Sequence, residues 1–236
     1  MAEYFSWERF FGNIPKILPY LPLTLQIVAV SFVLGLLLAL LIACVSIRKL
    51  PVVSQVLRVF ISFARGTPML VQMLVVYYLV PMVIEGIFDV DTRGWGKVVF
   101  VEIALILNEG AFQSETFRAA ILAIPRGQTE AALACGLTNF QAFTRIVLPQ
   151  TVRLVIPPLG VNLIGLFKST SLVSMVGVVD MIGYAKALGG TTGHTLESYV
   201  FLALVFIVIS VVLSTAFWLL DRRLSAARKH PREAEA

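Results

Sequence analysis

The sequence predicts an all-α membrane protein of five transmembrane helices, with the N-terminus outside and the C-terminus cytoplasmic. Composition, apolar runs of spanning length and the placement of Lys and Arg all point there. Of 236 residues, 58% are hydrophobic and 14% charged, against roughly 45–50% and 25% in ordinary soluble domains. One globular core cannot bury such an excess, so lipid is the expected surrounding. The net charge of +5 does not indicate nucleic acid, because the basic residues sit in short clusters beside apolar runs and form no single basic face.

The first expected span is 18–46. No charge interrupts Ile17 to Ile47, and a helix over Leu23–Val45 reaches roughly 34 Å, enough to cross. The run is longer than the apolar region of a cleavable signal peptide and is expected to remain in the mature chain. The second span, 66–85, carries Pro68 and Pro81, which should kink or break it. The amphipathic lead-in Val53–Ala64 is expected at the interface. The third span, 98–121, contains Glu102, Glu109, Glu115 and Arg118. Each costs about 2.5–3.5 kcal/mol at mid-bilayer, so this helix must face protein or water. The fourth, 154–179, has Pro157 and Pro158 near its start and Lys168 before Ser169, Thr170 and Ser171; the fifth, 198–220, is uninterrupted.

Alternate connections of five spans share a compartment. Arg48, Lys49, Arg58, Arg65, Arg118, Arg126, Arg145, Arg153, Arg222, Arg223, Arg228, Lys229 and Arg232 fall on one side, and Arg9, Lys16, Arg93, Lys97 and Lys186 on the other. The richer side is cytoplasmic by the positive-inside rule, which places the long connection between spans three and four inside the cell.

That connection has the signals of two short helices and a turn. Gln128–Cys135 is rich in helix formers, and Gly136 suits the left-handed residue that ends such a helix. Thr138 or Asn139 can cap a second helix running through Ile146, before Pro149. Leu137, Phe140, Phe143 and Val147 would form its single apolar stripe.

Glu130-Ala131-Ala132, then Gly136, then Ile146-x-Leu148-Pro149 resembles the EAA loop of permease subunits in bacterial ATP-binding-cassette importers. The segments Arg65-Gly66-Thr67-Pro68 with Leu70-Val71-Gln72, Asn108…Glu115-x-x-Arg118, Pro125-x-Gly127-Gln128 and Lys168-x-Thr170-Ser171-Leu172 look like the polar amino-acid branch of that family. The resemblance covers about Leu23 to Leu220. It implies that 1–236 is a single ABC-transporter transmembrane domain, with a coupling loop at 127–149, in the bacterial cytoplasmic (inner) membrane. It also implies cytoplasmic ABC ATPase subunits, a second permease subunit (identical or paralogous) and an extracytoplasmic solute-binding protein as partners, with ATP and Mg on the ATPase. Glu130, Ala131, Ala132, Gly136, Arg145, Ile146, Leu148 and Pro149 would carry the coupling.

The chain itself has no phosphate-binding loop: Gly165-Leu-Phe-Lys168-Ser169-Thr170 lacks the required glycines. No cofactor or metal is expected on it. His194 and His230 fit no catalytic or metal-ligand spacing, and the loop histidine is expected to be solvent-exposed. Cys44 and Cys135 read as packing residues.

The intramembrane polar residues are the candidate substrate path: Thr67, Gln72, Asn108, Glu109, Gln113, Ser114 and Lys168. Glu109 stands where the family commonly has a small polar residue. It can contact a substrate ammonium or cationic side chain, or pair with Lys168 or an Arg of another span. Lys168 can bind a carboxylate or serve as an interhelical partner. Glu115 and Arg118 are expected to form a local ion pair, Tyr77 and Tyr78 line the path or anchor the helix, and Asp180 falls at the outer surface. The reading is an importer subunit for a polar amino acid, leaning to a cationic or dibasic zwitterionic one. A self-sufficient channel or secondary transporter, and a membrane anchor, are the alternatives.

Overall fold

The computed structural model describes residues 5–47 and 51–226, and among them there is no strand. Arg48, Lys49, Arg228, Lys229, Arg232 and His230 lie outside the described residues.

The chain becomes helical before its first long apolar run. Ser6 caps α1 (Trp7–Ile17), its hydroxyl accepting from the Arg9 N–H. A 3-10 turn, Leu18–Tyr20, joins α1 to α2 (Leu21–Ile47). Arg9 and Glu197, far apart in sequence, hold α1 against the last helix: Arg9 Nε donates to Glu197 Oε1 at 2.8 Å, as does the Ser6 N–H at 3.0 Å. Arg9 Nη1 also meets His194 Nε2 at 3.3 Å. His194 is therefore half-buried in a polar cluster, not the free loop histidine expected.

α2 is apolar all round, yet one line of it is small. Ser31, Gly35, Ala39 and Ala43 recur every fourth residue and are all buried. This spacing lets backbones approach closely in lipid, where packing takes the place of the hydrophobic effect. The partner is α5 (Lys97–Leu122). A Cβ on Gly35 would stand 2.6 Å from Glu109 Cβ, and one on Gly110 would stand 2.6 Å from Leu38 Cδ2. The two glycines admit each other's neighbours.

The segment expected as an interfacial lead-in is α3 (Pro51–Gly66). It packs through Ile61 and Ala64 onto Ile42 and Ala111, so it belongs to the helix bundle. Thr67-Pro68 then breaks the chain, because Pro68 lacks an N–H and adopts extended backbone before α4 (Met69–Phe88). Pro81 lies inside α4.

Among the described residues, four helical stretches are long and apolar enough to cross a membrane: Trp7–Ile47, Met69–Phe88, Asn139–Val176 and Leu196–Leu224. α5 is 26 residues long but carries the charges noted above. Even so it is central, giving Val101 and Leu105 to a core shared with Ile27, Met73, Phe167 and Val173.

α6 (Arg126–Ala134) and α7 (Asn139–Ala142) form the loop after α5. α8 (Leu148–Ser169) continues as a 3-10 turn over Thr170–Val176. α9 (Met181–Thr192) and α10 (Leu196–Ala226) complete the fold. Asp180, expected at the outer surface of the membrane, is fully buried within the chain as the cap of α9, accepting from the Gly183 N–H at 2.8 Å and from Thr24 Oγ1 at 3.3 Å. Both cysteines are exposed and free, so neither is the packing residue expected.

Candidate functional site

The loop after α5 is built by two complementary end signals. At the end of α6 the Leu137 N–H donates to the Ala132 carbonyl at 3.1 Å and the Gly136 N–H to the Leu133 carbonyl at 2.9 Å. This is the Schellman pairing, which requires a left-handed residue. Gly136 supplies it with φ 84°. Two residues on, Thr138 caps α7 in a reciprocal box with Gln141: the Gln141 N–H donates to Thr138 Oγ1 at 3.3 Å and the Thr138 N–H to Gln141 Oε1 at 2.9 Å. The turn between the helices is thus closed on both sides. Gly136→Ala is expected to destabilise it by about 1 kcal/mol, since an L side chain is strained there; faster backbone amide exchange over 133–141 is the measurement.

The second helix does not stop before Pro149. It runs from Asn139 through a π turn, Phe143–Val147, directly into α8. The Leu148 N–H reaches back five residues to the Phe143 carbonyl. The wider turn accommodates a proline whose ring would clash with a carbonyl in α register and whose nitrogen cannot donate. Side chains serve the carbonyls nearby: Thr144 Oγ1 donates to Phe140 O at 2.8 Å and Gln150 Nε2 to Ile146 O at 2.8 Å. Gln150 Nε2 also donates to Gln128 Oε1 at 2.7 Å, tying α6 to α8.

The expected apolar stripe divides. Val147 is buried and Leu137 half-buried, whereas Phe140 is 76% exposed and Phe143 38%. Glu130, Ala131, Arg145, Leu148 and Pro149 are exposed, Ile146 is half-buried and Ala132 is buried. The loop therefore presents an acidic residue, a basic residue and a large apolar ring to its surroundings.

The intramembrane candidates fall into two separate networks. In the first, Gln72 is buried and donates through Nε2 to Ala64 O at 2.7 Å, Thr67 O at 2.9 Å and Thr67 Oγ1 at 2.9 Å, while its own Oε1 accepts from Asn108 Nδ2 at 2.9 Å. Gln72 thereby satisfies the carbonyls freed by the α3–α4 break. In the second, Asn162 Nδ2 of α8 donates to Gln113 Oε1 at 2.9 Å, and Gln113 Nε2 donates to Glu109 Oε2 at 3.1 Å. Gln113 is fully buried and Glu109 is 7% exposed. Ser114 turns onto the Ala111 carbonyl at 2.8 Å, and Lys168 is exposed at the end of α8, outside both networks.

Among the described residues Glu109 makes no ion pair, with Lys168 or with any Arg. Glu115 and Arg118 do pair, at 2.7 Å. Asn162 was not legible as a site residue, because its role depends on α8 lying beside α5. Tyr77 packs edge-on against Phe100 at 6.0 Å, and Tyr78 is exposed.

A family profile described as the inner membrane component of binding-protein-dependent transport systems matches residues 13–226. The L-cystine transport system permease protein TcyL of Bacillus subtilis is 36% identical over 95% of this chain and 93% of its own. The glutamate/aspartate import permease protein GltK of Escherichia coli O157:H7 is 30% identical over 93% of this chain and 98% of its own. Among solved structures, a chain from an amino acid ABC transporter crystallised with histidines superposes with a TM-score of 0.82 at 27% identity, covering 93% of this chain and 99% of that one.

Proposed function

Because the chain belongs to the family of binding-protein-dependent transport system inner membrane components, we propose that its Glu130–Pro149 loop is the element through which a separate ATPase drives it. The chain is a multi-pass permease subunit of an amino-acid ABC importer. ATP and Mg belong to the ATPase subunits, and the remaining partners are a second permease subunit, identical or paralogous, and an extracytoplasmic solute-binding protein. In this reading α2, α3 with α4, α5, α8 and α10 are five spans, with the loop and the C-terminus in the cytoplasm.

One observation carries the coupling role. The loop is a closed two-helix unit continuous with α8, and α8 holds Asn162 against the buried Gln113–Glu109 pair of α5. A rigid unit transmits a partner's displacement, whereas a flexible one absorbs it. The path for substrate runs past the two polar networks, with Gln72, Asn108, Glu109 and Gln113 nearest to it. Glu109, unpaired by any cation of this chain's described residues, suits an ammonium group, and L-cystine, the cargo named for TcyL, carries two. A dibasic zwitterionic cargo fits both.

Reconstitution in vesicles tests this reading. The chain with its copurified subunits should move its amino acid only when ATP is supplied, and the chain stripped of them should move none. Solute flux from the stripped chain would overturn the coupling role.

A further inference from the structure

Arg65 opens the Arg65-Gly66-Thr67-Pro68 segment, and the coupling loop gives it no task. Its guanidinium stands over the Phe112 ring, 5.5 Å from the centroid, which attracts the cation without neutralising it as an ion pair would. Phe112 precedes Leu122, where α5 ends, by roughly 15 Å. The charge therefore sits inside the bundle and not on the cytoplasmic rim where the sequence places it. Turned to hydrocarbon at that depth it would cost about 2.5–3.5 kcal/mol, so the exposed face of Arg65 belongs to a wet space.

That space is a cleft of about 380 Å³ between the end of α3, α5 and α8, lined by Arg65, Phe112, Glu115, Thr116, Ala119 and Asn162. Its carboxylate is already taken: Arg118 Nη2 holds Glu115 Oε2 at 2.7 Å. Among the described residues Arg65 has no ion pair. Its donor fork is open to an anion, and a carboxylate matches that fork in shape. Asn162 brings the complementary group. Its Nδ2 donates to Gln113 Oε1 at 2.9 Å, which orients the amide and leaves Oδ1 to accept an N–H. A site for a carboxylate and a site for an ammonium thus share one cleft, as the two poles of a zwitterion require.

The cleft also adjoins Glu109. From Glu109 to Phe112 the rise along α5 is about 4.5 Å, and to Thr116 about 10 Å, a span comparable with an extended dibasic amino acid. Resting on the importer function above, with Glu109 as the site for a cationic group, we propose that Arg65 receives the α-carboxylate of the amino-acid cargo. It thereby fixes the cargo's orientation, cationic group toward Glu109 and carboxylate toward the cytoplasmic end. Arg65 is then a specificity-determining residue, because an amine that lacks the carboxylate lacks this contact.

The full chain, purified with its associated subunits and held in nanodiscs without ATP, provides the test by equilibrium binding. Two pairs of probes differ only in their carboxylates: L-cystine against cystamine, and L-arginine against agmatine. At least one amino acid should bind about tenfold more tightly than its decarboxylated partner, the weight of one charge-assisted contact. Arg65→Ala should erase that preference without weakening the amine, and Arg65→Lys should keep part of it. Phe112→Leu, which removes the ring beneath the guanidinium, should reduce the preference less and stands in if Arg65→Ala does not purify as a monodisperse complex. Glu109→Gln should instead weaken an amino acid and its amine alike. Its having no effect would overturn the orientation toward Glu109 and leave the carboxylate site standing. No preference in the wild-type complex, or a preference unchanged in the Arg65→Ala or stand-in variant, overturns the site. Equal weakening of both members of a pair by Arg65→Ala marks a structural role and overturns it too.

Discussion

Phe140→Ala is expected to weaken association with the ATPase about 30-fold, equivalent to about 2 kcal/mol, and to bring ATP-driven uptake close to background. The ring is 76% exposed on a unit whose backbone is closed by the Gly136 and Thr138 pairings. A large aromatic side chain held rigidly in the open is the kind of group that dominates an interface when a pocket receives it, because it pays little conformational entropy on docking. The loop's other large exposed apolar groups, Leu133 at 39%, Phe143 at 38% and Leu148 at 40%, are less exposed than this ring. Copurification of the ATPase and its affinity for the purified permease are the measurements, with Phe140→Leu as the milder control. An alanine variant that retains the ATPase as wild type does would remove Phe140 from the docking surface.

The second large effect is expected inside the membrane. Gln113→Leu removes the side-chain hydrogen bond that joins α5 to α8 among the described residues, and it strands both Glu109 Oε2 and Asn162 Nδ2. Leaving a buried polar group unpaired costs about 1–3 kcal/mol, more for a charged one. Transport should fall at least about tenfold, with lower thermal stability in detergent. Asn162→Leu alone should be milder, since it frees only Gln113 Oε1. The double variant should resemble Gln113→Leu and not the sum of the two, because contacting residues are not additive. Additive effects would mean that the three side chains act separately.

The loop was legible in the sequence because its determinants are local. Gly136 has to be left-handed to end α6, and Thr138 with Gln141 is a capping box within four residues, so composition and spacing suffice. The reach of the second helix was not legible. A proline reads as a stop only if the helix keeps α register, and the π turn at Phe143–Val147 changes that register. The long-range pairings were out of reach for another reason. Arg9 meets Glu197 and Asn162 meets Gln113 only once the helices are arranged, and Gln72 finds the Ala64 carbonyl only because Thr67-Pro68 breaks the chain. Polar residues in the membrane could be recognised as important from their cost alone, but which of them are satisfied by the fold is a property of packing. Ser114, a candidate by composition, spends its hydroxyl on its own helix.

The π turn fixes a phase. Residues of an α-helix advance by about 100° each, so a helix that gains or loses one residue between Phe143 and Val147 rotates everything beyond it by that angle. Phe140 lies before the turn and Asn162 after it, about 33 Å apart along a single shaft. The direction in which the loop presents its ring and the direction in which Asn162 faces α5 are therefore set against each other by one five-residue coupling. Trimming that turn to ordinary α register would leave every side chain in place in the sequence and point the two ends of the shaft in different directions.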